Sequence, residues 1–139
     1  MTPQERSLVQ ESFAAVRPIS DQAAAMFYDR LFTIAPEVKP LFKGDMSEQG
    51  KKLMQMLAVA VNGLNNLEAI LPAVQELGRK HVDYGVTAAH YQPVGEALLW
   101  TLEQGLGEAF DDDTRAAWAA AYGLLAGVMC DAAAEAQAA

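Results

Sequence analysis

The chain is poor in the residues that most often hold metals: 139 residues include one cysteine and two histidines. The single Cys130 excludes an internal disulfide and any cysteine-based cluster within one chain, so a metal would need histidine or carboxylate. Positive charge is scarce as well, with 10 Lys and Arg against 18 Asp and Glu and a net charge of -8. Such a field does not draw nucleic-acid phosphates or anionic lipid, which makes polyanions poor partners. The charge-free stretch Ala116 to Cys130 is shorter than a bilayer span. The N-terminal "MTPQERSLVQ" carries Glu5 and Arg6 where a signal peptide would be apolar. A soluble cytoplasmic protein is expected, without nucleic acid or membrane as partner. No Gly-rich phosphate loop, zinc-type Cys/His cluster or Ser/His/Asp arrangement is present, which leaves nucleotide and hydrolase chemistry without support. The length fits one domain, 1–139, able to bury a core and one cofactor.

What the chain has is helical spacing between Pro and Gly boundaries. Thr2, Pro3 and Glu5 form a capping-box pattern that opens a first helix, which Pro18 ends near Arg17. Ser20 is placed to cap a second helix with Met26, Phe27, Tyr28, Leu31 and Phe32, ending at Pro36. "PEVKPLF" reads as a short helical turn carrying Phe42. Asp45 and Glu48 repeat the capping-box pattern before a third long helix with Leu53, Met56, Leu57, Ala60 and Leu64 on one face. Leu67, Leu71, Val74, Leu77 or Gly78, and His81 recur at three and four, and that segment ends at Gly85. A further helix starts near His90, with Pro93 tolerated in its first turn. A last one follows Asp111, Asp112 and Asp113, where acidic groups favour a helix N-terminus; the tail 132–139 is Ala-rich. No run alternates with period two. The expectation is an all-α domain of about seven to eight helices.

His81, in "LGRKHVDYGV", is the residue with chemical promise. Its spacing puts an imidazole on the apolar side of its helix, where a hydrogen-bonded core histidine and a metal ligand are both open readings. The Leu77 carbonyl one turn earlier can accept from one ring nitrogen and leave the other to coordinate. A bare ion would be badly held by one histidine. A haem brings four nitrogens of its own and asks the protein for one, so a single axial histidine suits haem. The many carboxylates read as solvated surface and nominate no acid and base pair.

"LGRKHVDYGV", "VGEALLWTLEQGLGEAF" and "TRAAWAAAYG", preceded by "PEVKPLF", resemble the globin family, most closely neuroglobin and the single-domain haemoglobins of bacteria. The resemblance spans about residues 4 to 130, with Pro36, Phe42, His81, Val86 and Trp118 in the family's order. It implies a globin fold around haem b, with His81 as the iron ligand and Phe42 stacked on the macrocycle. It places a distal helix at 47–64, with Gln49 at the gating position, Leu53 over the iron, and Tyr28 directed at bound ligand from the second helix. Tyr28 and Gln49 are the bacterial pairing, where neuroglobin would have Phe and His. They imply open ferrous iron, high oxygen affinity and slow release. Met56, Leu77 and Val86 would line the haem, and Lys52 and Lys80 would reach its propionates. Trp118 and Tyr122 read as packing residues and His90 as an exposed residue at a helix start.

Two departures stand out. Phe42 and Gln49 are only seven positions apart, a compressed loop. Tyr91, ten residues after His81, matches the tyrosine of the proximal hydrogen-bond network in flavohaemoglobins, but that network's glutamate falls on Ala133, and Asp131 and Glu135 point about 200° away along the helix. The implied function is reversible binding of oxygen, with nitric oxide and carbon monoxide as further ligands. The alternatives are nitric oxide dioxygenation or nitrite reduction served by a separate reductase, since no flavin or NAD domain is in the sequence, and a helical module without haem.

Overall fold

In the computed structural model, residues 1–42, 44–83 and 85–138 are described, with side chains through Glu135; Lys43, Tyr84 and the final alanine lie outside that set. Six α-helices are found among them: α1 (Pro3–Val16), α2 (Ser20–Ile34), α3 (Met46–Asn62), α4 (Leu67–Asp83), α5 (Tyr91–Leu106) and α6 (Asp112–Ala138). Five short 3-10 turns connect them. The expected count of seven to eight helices is therefore corrected to six. Pro36–Leu41 is 3-10, because Pro40 lacks the N–H that an α-helical bond needs there.

The caps follow local chemistry where the backbone allows it. Thr2 and Glu5 form the reciprocal capping box at 2.9 and 3.1 Å. Ser20 does not cap α2. It is already helical in backbone, at φ -57 and ψ -38, because the turn Arg17–Ile19 runs straight into the helix, and an N-cap needs an extended residue. Asp45 caps α3 through the Ser47 N–H at 2.8 Å rather than in a box with Glu48. Asp111 accepts from the Thr114 N–H at 2.9 Å to open α6.

The core is built from cross-chain helix pairs. α2 packs on α5, and α1 on α6. Trp118 of α6 donates from Nε1 to the Ser12 hydroxyl of α1 at 2.7 Å, with its ring 6.3 Å from Phe13. Val9, Leu31 and Ala97 are fully buried at these junctions, each of the larger ones contributing about 1.5–3 kcal/mol of apolar burial.

α3 and α4 are arranged differently. The turn Gly63–Asn66 links them, yet among the described residues α3 packs chiefly on α2 and α1 while α4 packs chiefly on α6. Small residues set both approaches. A Cβ on Gly50 would stand 3.0 Å from the Ala24 Cβ of α2, and one on Gly78 would meet the Met129 backbone of α6, 2.7 Å from its Cα. The stretches 46–83 and 112–135 are long and apolar enough to cross a membrane by length and composition. In this fold the first is broken at Gly63–Asn66, and the second buries Ala117, Trp118 and Ala121.

Candidate functional site

α3 and α4 pack on different partners, and each keeps apolar side chains that are not fully buried. On α4, Val74 and Gly78 are buried, whereas Leu77 and His81 stay half-buried. On α3, Leu53 is half-buried and Met56 is 40 % exposed. A methionine so exposed beside other apolar side chains marks unfinished packing in a helix of this pattern.

His81 is tied to its own helix. Its Nδ1 lies 2.7 Å from the Leu77 carbonyl; an oxygen there only accepts, so Nδ1 carries the proton and the lone pair sits on Nε2. Burial holds its pKa below the ordinary histidine value, against the opposing Leu77 bond, and this favours the neutral ring a ligand needs. The helix ends just beyond. Gly85, at φ +90, lets its N–H bond the Val82 carbonyl at 3.0 Å while the Val86 N–H bonds the His81 carbonyl at 2.9 Å. This Schellman closure fixes the His81 backbone and leaves Val86 half-buried.

The Tyr91 ring lies 6.3 Å from the His81 ring, tilted by 28°. Its hydroxyl is buried and has no hydrogen-bond partner. Asp131 and Glu135 are exposed, and neither reaches it. Burial pushes the Tyr91 hydroxyl pKa up, as does the nearby Cys130.

Between α2 and α3, Tyr28 belongs to an aromatic group. Its ring is edge-on to Phe42 at 5.2 Å and stacked on Phe32 at 5.9 Å. The Tyr28 hydroxyl donates to the main-chain carbonyl of Gln49 at 3.3 Å, which ties α2 to the first turn of α3. That bond is long for an O–H donor, whose usual distance is near 2.7–2.8 Å. Burial raises the hydroxyl pKa to about 12. Leu53 also borders a small apolar cavity of about 20 Å³ shared with Phe27.

Direct contacts link the residues expected from sequence in two groups: Tyr28 with Phe42 and Gln49, and His81 with Leu77, Val86 and Tyr91. Lys52 and Lys80 are exposed on α3 and α4. His90 is half-buried rather than exposed, and its Nδ1 accepts from the Thr87 N–H at 3.0 Å. Sequence reasoning missed Phe32, although it lies one turn from Tyr28, and missed the tight crossing at Gly78. Among the described residues no group of three or more His, Cys, Asp or Glu could hold a bare metal ion.

Residues 25–129 match the family model for globins. The chain belongs to the globin family. This globin is 35% identical over 133 residues to the flavohemoprotein of Bordetella parapertussis, covering 93% of the chain and 33% of that protein. It is 36% identical over 130 residues to the flavohemoprotein of Chromobacterium violaceum, covering 91% and 32%. It therefore spans about a third of the length of these relatives. Its fold matches a bacterial globin from Campylobacter jejuni at TM-score 0.87, with 28% identity, 99% of this chain and 100% of that one. A carbene transferase engineered from a candidate nitric oxide dioxygenase of Rhodothermus marinus matches at TM-score 0.89, with 29% identity, 99% of this chain and 96% of that one.

Proposed function

We propose that this globin holds haem b in the slot between α3 and α4, with His81 Nε2 as the iron ligand, and binds oxygen and other diatomic gases there. The observation that carries the reading is His81: an imidazole whose Nδ1 proton is committed to the Leu77 carbonyl, and which, with Leu77, stays half-buried although α4 packs on α6. The donor set fits haem, since one imidazole suffices where the macrocycle brings the other four nitrogens. Cys130 is the only cysteine, too few for the paired thioether attachment of a c-type haem, which favours a non-covalently held group.

When bound, haem supplies an iron that takes up oxygen, nitric oxide or carbon monoxide reversibly and can exchange electrons. The chain does the rest. Phe42, Leu53, Met56, Leu77 and Val86 keep water from the slot. Tyr28 remains protonated at every physiological pH and can donate to a ligand that gains negative charge. Its present bond to the Gln49 carbonyl is long, so turning the hydroxyl toward a ligand sacrifices little. Gln49 supplies a second amide donor, and Lys52 and Lys80 supply the positive charge for propionates. Each charge-assisted bond is worth about 1.5–3 kcal/mol, or about ten- to a hundredfold in ligand release.

Nitric oxide dioxygenation is a second reading, favoured by the flavohemoprotein relatives. It requires electrons from a reductase outside these 139 residues, and a cytoplasmic setting would supply both. Reconstitution with haem, followed by stopped-flow measurement of oxygen release and of nitric oxide consumption with and without a flavin reductase, tests both readings. Slow release alone supports gas binding, sustained nitrate production with a reductase selects the enzyme, and failure to take up haem removes both.

A further inference from the structure

The proximal side has an incomplete look in sequence: Tyr91 is present, yet Ala133 stands where a carboxylate would engage it. The structure agrees, because the Tyr91 hydroxyl is buried without a partner. Something else must keep that ring against His81. Tyr91 is the first residue of α5, its backbone N–H bonded to the Ala88 carbonyl of the turn that leads into the helix.

A second hold comes from α6. The Tyr122 hydroxyl donates to the main-chain carbonyl of Tyr91. Tyr122 reaches it by lying across Gly95, where a Cβ would stand 2.7 Å from the Tyr122 ring. Gly95 is buried and one turn past Tyr91, so the absence of a side chain there is what admits the ring. Tyr91, fixed at its backbone, then presents its ring nearly parallel to the His81 imidazole.

We propose that Tyr122 is a positioning residue for the proximal histidine, setting the orientation of the His81 ring through Tyr91 and replacing a hold on the Tyr91 hydroxyl. The proposal rests on the haem reading above and adds to it a residue on α6 that touches neither the gas nor the distal side. His81 is then steadied at two points, its Nδ1 by Leu77 and its ring face by Tyr91. The second depends on a hydroxyl two helices away. Outer contacts of this kind change the grip on a metal about 10- to 100-fold when removed.

The test uses the full chain loaded with haem. The iron–histidine stretching band of the reduced, gas-free protein is recorded by resonance Raman, and haem loss is timed by transfer to an excess of apomyoglobin. Tyr122→Phe, which deletes one hydroxyl, is expected to shift and broaden the band and to speed haem loss about tenfold. Tyr91→Leu, which deletes the ring, is expected to do the same. Tyr122→Phe in that background should add nothing to the band, since the path to His81 is already cut. An unchanged band in Tyr122→Phe, or additive shifts in the double variant, overturns the proposal. If Tyr122→Phe does not fold, an unchanged band in Tyr91→Leu still overturns it. Failure of the parent chain to bind haem would strike the haem reading instead, and is seen before any variant is made.

Discussion

At His81 two requirements of an iron ligand are met by the helix it sits on: one ring nitrogen committed to Leu77 and a pKa lowered by burial. His81→Ala is expected to fold, since alanine favours the helix, but to lose the Soret band on haem addition. Free imidazole, filling the vacated space, should restore it. An unchanged band without imidazole would place the ligand elsewhere. Tyr28→Phe is expected to keep the fold, because only a long 3.3 Å bond is lost, and to speed oxygen release about ten- to a hundredfold, as read by stopped flow. The two residues differ in how legible they were. His81 announces itself by rarity and by its place on an apolar stripe. The tie from Tyr28 to the Gln49 carbonyl joins residues 21 apart, and no periodicity encodes which acceptor a buried hydroxyl finds.

Among the elements, α4 has the most to do with the site, and Gly78 sets its distance from α6. Adding one methyl there meets the Met129 backbone, so Gly78→Ala should destabilise the chain by about 1–3 kcal/mol, read as a lower urea midpoint. Haem affinity should fall with it, because His81 rides on the displaced helix. At the start of α6 the Thr114 hydroxyl and N–H hold the Asp111 carboxyl below its ordinary value. A depressed carboxylate stabilises the fold above its unfolded pKa near 3.8, and the benefit is lost as pH falls through the lower folded value. Asp111→Ala should therefore lower Tm at pH 7, with the gap from the parent closing in strong acid; a gap that stays constant with pH would contradict the cap. Element existence was well marked in the sequence by Pro, Gly and the three-and-four spacing. Ends were read less well, since Ser20 has the chemistry for capping but a helical backbone, and the Asp45 side chain takes the Ser47 N–H instead of that of Glu48. The partners of each helix were not legible, because α4 meets α6 through residues far apart in sequence, such as Gly78 and Met129, and no local spacing encodes that meeting.

For the whole molecule, the apolar stripes of α3 and α4 are the feature that ties sequence to function. In a bundle closed on itself they would pack together; here α3 packs on α1 and α2 and α4 on α6, and the proposed haem slot between them would draw on His81 and on the aromatic group of Tyr28, Phe32 and Phe42. The net charge of -8 belongs to this scale as well. A reductase that delivers electrons to the slot is expected to present a basic surface, and its reaction with this globin should slow as salt is raised; a rate independent of ionic strength would argue against charge-guided docking. The central claim is that the slot is built for haem with open iron. Its most direct test is the visible spectrum of the purified chain after haem addition and reduction, with oxygen excluded. The account predicts a Soret band with five-coordinate ferrous features. No Soret band would contradict the haem slot, and a six-coordinate ferrous spectrum would contradict the distal pocket formed by Tyr28 and Gln49.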